Sequence, residues 1–162
     1  MYNEYASEAL QNLQKGAFLS VSNEEMDNTM TISWGSIGFY WGKPMFMVLV
    51  RYSRHTYTLL ENSQQFSVSI PIDNDLKEAL AKCGSLSGKD VNKWEVANIT
   101  PISANNVNTK LVEECSLHYE CKVVARMPLE KDMVSAEVFE KWYNNDNNHV
   151  LYYGEILGTY LK

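Results

Sequence analysis

Two rhythms of apolar and polar residues run along this chain, and the places where one gives way to the other mark out its elements. Tyr2, Tyr5, Ala6, Ala9, Leu10 and Leu13 recur at helical spacing and Gly16 stands where a helix C-cap is expected, which predicts an amphipathic N-terminal helix. From Ala17 the rhythm becomes that of strands. AFLSVS over 17–22 and the β-branched, aromatic MTISW over 30–34 predict a strand and its return around the polar turn NEEMDN. Gly35, Gly38, Gly42 and Pro44 then predict a bent connection before MFMVLV over 45–50, a continuous apolar run suited to a buried strand. Phe66 to Ile70 alternates apolar residues with serine as a further strand, ended by Pro71 and Asp73.

Leu76, Ala79, Leu80 and Cys83 share one helical face, and Gly84 closes that helix. The loop CGSLSGKDVNKW follows, with Ser85, Ser87 and Lys93 as its polar groups. Leu117, Tyr119, Cys121 and Val123 alternate with His118, Glu120 and Lys122, the pattern of a half-exposed antiparallel strand. Met133 to Tyr143 predicts a helix and Asn144 to Asn148 a turn, before a long final strand from His149 to Tyr160 bulged or bent at Gly154 and Gly158. About six or seven strands with short helices and no regular strand–helix–strand alternation favour an all-β, mainly antiparallel barrel over a doubly wound sheet. A chain of 162 residues is expected to form a single domain over 1–162.

A net charge of −6 argues against a general nucleic-acid binder, so the few Lys and Arg are expected to act locally. No apolar segment follows Met1 as a leader, and no run approaches the roughly 20 residues that span a bilayer, which predicts a soluble, cytoplasmic protein without a membrane partner. Cys83, Cys115 and Cys121 lack paired spacing and suit neither a disulfide framework nor zinc. His55, His118 and His149 show no metal-ligand spacing, so no metal site is expected, and there is neither a G-x-S-x-G elbow nor a GxGxxG fingerprint.

The segment VRYSRHTYTLLENSQQFSVSI, Val50 to Ile70, concentrates the chemistry. Arg51, Ser53, Arg54 and Thr56 crowd the start of a helix, where unpaired backbone N–H groups and the positive end of the helix dipole favour an anion. Two guanidinium groups are disfavoured there unless a dianion joins them; the alternative is an exposed basic turn with a hydroxyl cap.

Asn28 with MTISW, then VRYSRHTYTLLENSQQFSVSIP, CGSLSGKDVNKWE and HVLYYGEILGTYL, taken in that order, resemble the flavin reductase-like family with an FMN-binding split barrel, and most of all its flavoredoxin group. The resemblance runs over nearly the whole chain from Ala17, and its specificity lies in the combination of blocks. It implies a Greek-key split barrel with peripheral short helices, FMN as cofactor and a homodimer with the flavin at the interface. Asn28 and the backbone of Met30, Thr31, Ile32 and Ser33 then address the polar edge of the isoalloxazine ring, and Trp34 covers it or packs in the core. Arg51, Ser53, Arg54 and Thr56 match the phosphate cradle, with Ser87 and Gly88 in the neighbouring loop. Lys93 matches a lysine that approaches the ring and favours its reduced form, or is a solvated surface lysine. His149 matches a histidine that orients the nicotinamide or exchanges a proton, or simply faces solvent. Met133 to Asn148 departs from the family pattern, being longer and richer in Asn. The function implied is an NAD(P)H-dependent oxidoreductase passing electrons through FMN, with NADH or NADPH as reductant and free flavin or an acceptor protein as sink. The alternatives are an electron-transfer protein without an efficient nicotinamide site and a non-catalytic flavin-binding barrel.

Overall fold

The structure is a computed structural model and describes residues 2–162. Helix α1 (Ala6–Leu13) buries Ala9 and Leu13 and ends, as its pattern predicts, before Gly16 in a positive-φ conformation. Strands β1 (Ala17–Ser22) and β2 (Asp27–Ile32) pair in antiparallel register from Ser22↔Asp27 to Ala17↔Ile32. The side-chain oxygen of Asn23 accepts from the N–H groups of Glu25 and Met26 and sets the turn. The return strand therefore starts three residues earlier than MTISW suggests, and Trp34 lies beyond it.

The predicted bent connection is a strand. Gly35–Tyr40 forms β3, which pairs along its length with β4 (Lys43–Arg51) through a turn at Trp41 and Gly42, both at positive φ. Helix α2 (His55–Ser63), strand β5 (Gln65–Ile70), helix α3 (Lys77–Ser85) and the short helix α4 (Lys93–Val96) follow. Strands β6 (Pro101–Ser103) and β7 (Lys110–Val112) make a small separate sheet that the alternation did not announce. Strand β8 (Leu117–Pro128) runs five residues past Val123; a 3-10 turn (Lys131–Met133), helix α5 (Ala136–Trp142) and β9 (His149–Leu161) complete the chain.

The main sheet has seven strands in the order β2-β1-β5-β8-β9-β4-β3, every pairing antiparallel. Laid flat, six inter-strand spacings of about 4.8 Å would hold β2 and β3 roughly 29 Å apart. Yet Ser33 and Trp34 alone connect them, and three Cα steps reach at most about 11 Å. The sheet must curl until its two edges meet, and because β2 and β3 share no ladder the result is a barrel open along one seam. Two irregularities help the curl: β8 and β9 shift register between Glu120 and Cys121 and between Val123 and Ala125, beside the partners of Gly158 and Gly154. A Cβ on Gly154 would stand 2.3 Å from the ring of Phe66, so this bend also needs the missing side chain.

Inside the barrel Leu19, Phe46, Val48, Leu60, Phe66, Val68, Tyr119 and Tyr152 form the main core. A second cluster, with Phe18, Leu80, Cys83, Trp94 and Val112, packs α3 and α4 on the outside of β1. Being covered on both faces, β1 is buried at every position, which is why AFLSVS does not alternate cleanly. Cys83, Cys115 and Cys121 are unpaired and buried. Among the described residues no helix is long and apolar enough to cross a membrane.

Candidate functional site

The seam where β2 gives way to β3 opens into a cleft of about 280 Å³, lined by Met30 to Trp34, Leu49, Arg51, Arg54, Gly84, Trp142 and His149. Residues 30–34 form its β2 side. The strand β2 has β1 on one side and no ladder on the other, so the backbone polar groups of its outer edge are not taken up by a neighbouring strand. The indole of Trp34 meets that of Trp142 edge-on at 4.7 Å and the imidazole of His149 at 5.4 Å. Both indoles are more than a third exposed, so Trp34 belongs to the cleft wall and not to the core.

Arg54 is shared with a second, smaller pocket of about 80 Å³, lined also by Ser53, His55, Ser85, Leu86, Ser87, Gly88 and Lys93. Two cations converge there because the C-terminal carbonyls of α3 hold them. Arg54 donates to Gly84 at 2.8 Å and to Cys83 at 3.2 Å, and Lys93 Nζ donates to the same Cys83 carbonyl at 2.9 Å. Arg54 is also the N-cap residue of α2, whose first turn carries no side-chain cap, so its free N–H groups stand beside the cations. Lys93 is only 3% exposed, and burial followed by the Arg54 charge lowers its pKa to about 8. A buried lysine with one neutral acceptor, a capless helix start and a second cation make a donor set for an anion.

The pocket wall is knit tightly. Asn28 donates to Thr56 Oγ1 at 3.1 Å, and both are buried. A Cβ on Gly88 would fall 2.0 Å from the Asn28 side-chain oxygen, so the loop can lie against β2 only with glycine there. Ser87 lines the pocket, and its carbonyl and hydroxyl turn the loop by accepting from Asp90 and Lys89.

The expected site residues thus separate into groups. Met30, Thr31, Ile32, Ser33, Trp34 and His149 line the cleft; Ser53, Arg54, Ser87, Gly88 and Lys93 line the small pocket. Asn28 and Thr56 join elements behind it, so the Thr56 hydroxyl is engaged with Asn28. Lys93 lies in the small pocket and in a wider groove of about 890 Å³ running toward Pro101, not in the wall beside Trp34. Arg51 edges the cleft, but its guanidinium donates to the carbonyls of Trp142 and Asn147 and stacks 5.5 Å over the Tyr143 ring. Ser53 exchanges hydrogen bonds with the Asn147 side chain. The Asn-rich segment is thereby fastened onto the end of β4.

That segment contributes residues that spacing did not single out. Trp142 enters the cleft wall, and the Tyr143 hydroxyl lies 2.8 Å from His149 Nδ1. Burial and the Arg51 charge push the His149 pKa down to about 4, so the ring is neutral near pH 7 and suits orientation better than proton exchange. His55 is a further lining residue; its Nε2 sits 3.1 Å from the Met26 sulfur, and burial, Lys89 and Lys93 lower its pKa. The only signal for Trp142 and Tyr143 in the sequence is an aromatic pair shortly before the Asn run.

A family profile described as the flavin reductase like domain matches residues 12–159. A curated protein of Archaeoglobus fulgidus, itself of uncharacterised function, is 29% identical over 140 residues, covering 86% of this chain and 68% of that protein. Among solved structures, the flavoredoxin of Methanosarcina acetivorans superimposes with a TM-score of 0.70 at 23% identity, covering 91% of this chain and 68% of that one. An FMN-binding domain of a flavin reductases-like enzyme from Shewanella baltica does so with a TM-score of 0.70 at 18% identity, covering 96% and 74%. At these identities the two structures speak for the fold, a split barrel.

Proposed function

The chain belongs to the flavin reductase-like family, and from that premise we propose that it is an FMN-dependent oxidoreductase using NADH or NADPH, working as a homodimer in the cytoplasm. The observation that carries the reading is the continuity of two sites at Arg54: a cleft walled by the end of β2, Trp34 and Trp142 on one side and a small pocket with Arg54 and Lys93 on the other. A flat ring joined by a flexible chain to a phosphate has that shape. Arg54, Lys93, Ser87 and the first-turn N–H groups of α2 would hold the phosphate, and the Met30 to Ser33 backbone with Trp34 would hold the ring. Gly88 supports the fit, because the space that its missing Cβ leaves lets the loop approach Asn28. Bound FMN supplies the hydride- and electron-accepting chemistry. The protein's part is to bind, to orient and to exclude water. A cleft of about 280 Å³ open to solvent encloses a ring poorly, which supports a second copy as its cover, and the exposed Phe39 and Tyr40 of edge strand β3, with Trp41 in the turn after it, offer apolar surface for one. Light scattering should return a dimer when FMN is bound; a monomer would contradict that part.

A second reading has its own support. Trp142, edge-on to Trp34, covers part of the ring face on which a nicotinamide would stack if Trp34 bounds the flavin, which favours a flavoredoxin-type electron carrier fed by another protein. Anaerobic mixing separates the two: rapid bleaching of the flavin by NADH or NADPH supports the reductase, and bleaching by dithionite alone supports the carrier. The binding reading itself is tested with Arg54→Ala/Lys93→Met, which should weaken FMN about tenfold to a hundredfold per lost charged contact and leave riboflavin nearly unchanged. An equal loss for both ligands in a folded variant would remove the phosphate assignment.

A further inference from the structure

We propose that Tyr143 is a positioning residue: its hydroxyl donates to Nδ1 of His149 and fixes the imidazole in the Nε2–H tautomer, with that N–H presented to the cleft. The inference deepens the reading above and rests on it only for what the donor meets; the tautomer belongs to the protein itself.

The geometry has three parts. The Oη to Nδ1 distance of 2.8 Å is that of a hydrogen bond, and both side chains are buried, 3% and 8% exposed, so water does not compete for it. His149 is a wall residue of the cleft, and with Nδ1 turned to Tyr143 the other ring nitrogen, Nε2, is the one left to meet a ligand there. Arg51, on the adjacent strand β4 and paired in register with His149, lies 5.5 Å over the Tyr143 ring. Its charge bears on both groups in one direction. Burial raises the Tyr143 pKa and lowers that of His149, and the Arg51 charge opposes the first shift and adds to the second, so a neutral phenol faces a neutral imidazole near pH 7.

The direction of the bond decides the chemistry. A phenol O–H is more acidic than a neutral imidazole N–H, and an imidazole nitrogen is the better acceptor, so O–H to N is the stronger arrangement. With Nδ1 occupied as acceptor, the single ring proton resides on Nε2. The cleft therefore meets its ligand with a fixed, neutral hydrogen-bond donor, complementary to a carbonyl oxygen or an unprotonated ring nitrogen. Tyr143 comes from the segment in which this chain departs from the family pattern, held against β4 by Arg51 and Ser53. The departure is thus built into the site, not appended to it.

The test is nitrogen NMR of protein labelled with 15N-histidine, recorded without FMN at pH 7, with His149→Gln to assign the resonance. The expected result is a His149 signal with Nε2 protonated and Nδ1 unprotonated. In Tyr143→Phe that signal should move toward the average of the two tautomers while the His118 signal stays in place, showing an intact barrel. A wild-type His149 protonated at Nδ1, or a tautomer indifferent to Tyr143→Phe, would overturn the proposal. If Tyr143→Phe does not fold, the wild-type spectrum alone still decides the direction of the bond. FMN affinity, measured separately by flavin fluorescence, tests the cofactor reading, so the two can fail independently.

Discussion

Lys93 shows how one residue can be unfavourable for the fold and useful to the site. A fall in pKa from 10.5 to about 8 corresponds to roughly 3 kcal/mol against the charged form, borne by the folded state near neutral pH. Lys93→Met should therefore raise stability by about 1–2 kcal/mol in urea at pH 7, after allowance for the lost bond to Cys83, while weakening FMN. If stability fell, the lysine would be part of the packing and not a held charge. The same pKa gives a signature in binding. A phosphate dianion favours the ammonium, so above about pH 8 each binding event must take up a proton and FMN affinity should fall, by up to tenfold per pH unit. Riboflavin affinity should stay flat over the same range, and titrations at pH 7 and 9 check it. That basic and hydroxyl residues gather at the start of a helix was legible in the sequence, which is what makes the segment a candidate for holding an anion. Their individual directions were not, because spacing does not reveal which carbonyl a guanidinium will choose: Arg54 turns to α3, Arg51 to the Asn-rich segment.

At the level of elements, the strands with clean patterns were readable and the ones shaped by context were not. MFMVLV and the Leu117 to Val123 alternation announce β4 and β8, whereas β3 is written in Gly and aromatic residues that resemble a loop and becomes a strand only because β4 offers it a partner. The segment from the 3-10 turn through α5 depends on neighbours too: α5 buries none of its residues, and it is attached through Arg51, Ser53, the Tyr143 to His149 bond and the Trp142 contact with Trp34. Arg51→Ala should release it. Hydrogen exchange should accelerate several-fold over 139–148 with little change elsewhere, and global stability should drop by about 1 kcal/mol, since the guanidinium bonds are partly exposed. Uniform acceleration throughout the barrel would show instead that Arg51 supports the sheet.

For the molecule as a whole, acid is the expected weak point. His118 is buried against Ser69 Oγ at 3.0 Å, and burial together with Lys162 lowers its pKa to about 4, the value His149 also reaches. Above pH 6.5 both imidazoles are neutral in the folded and unfolded chain. Between 6.5 and about 4 the unfolded chain binds protons that the folded one refuses, so stability declines as pH falls, by up to roughly 3 kcal/mol per group. Against a total of about 5–15 kcal/mol this is a large share, and His118→Gln should shrink the gap between urea midpoints at pH 7 and 4.5 by about half. The sheet order has a further consequence, for how the chain is made. β9 follows every other strand in synthesis, yet it stands in the middle of the sheet, between β8 and β4. Until it leaves the ribosome the two parts of the barrel share no ladder, and the edge of β4, with Phe46, Val48 and Val50, remains open to other nascent chains. Folding must therefore wait for β9, and the wait makes this a chain that a holding chaperone would be expected to meet before its barrel closes.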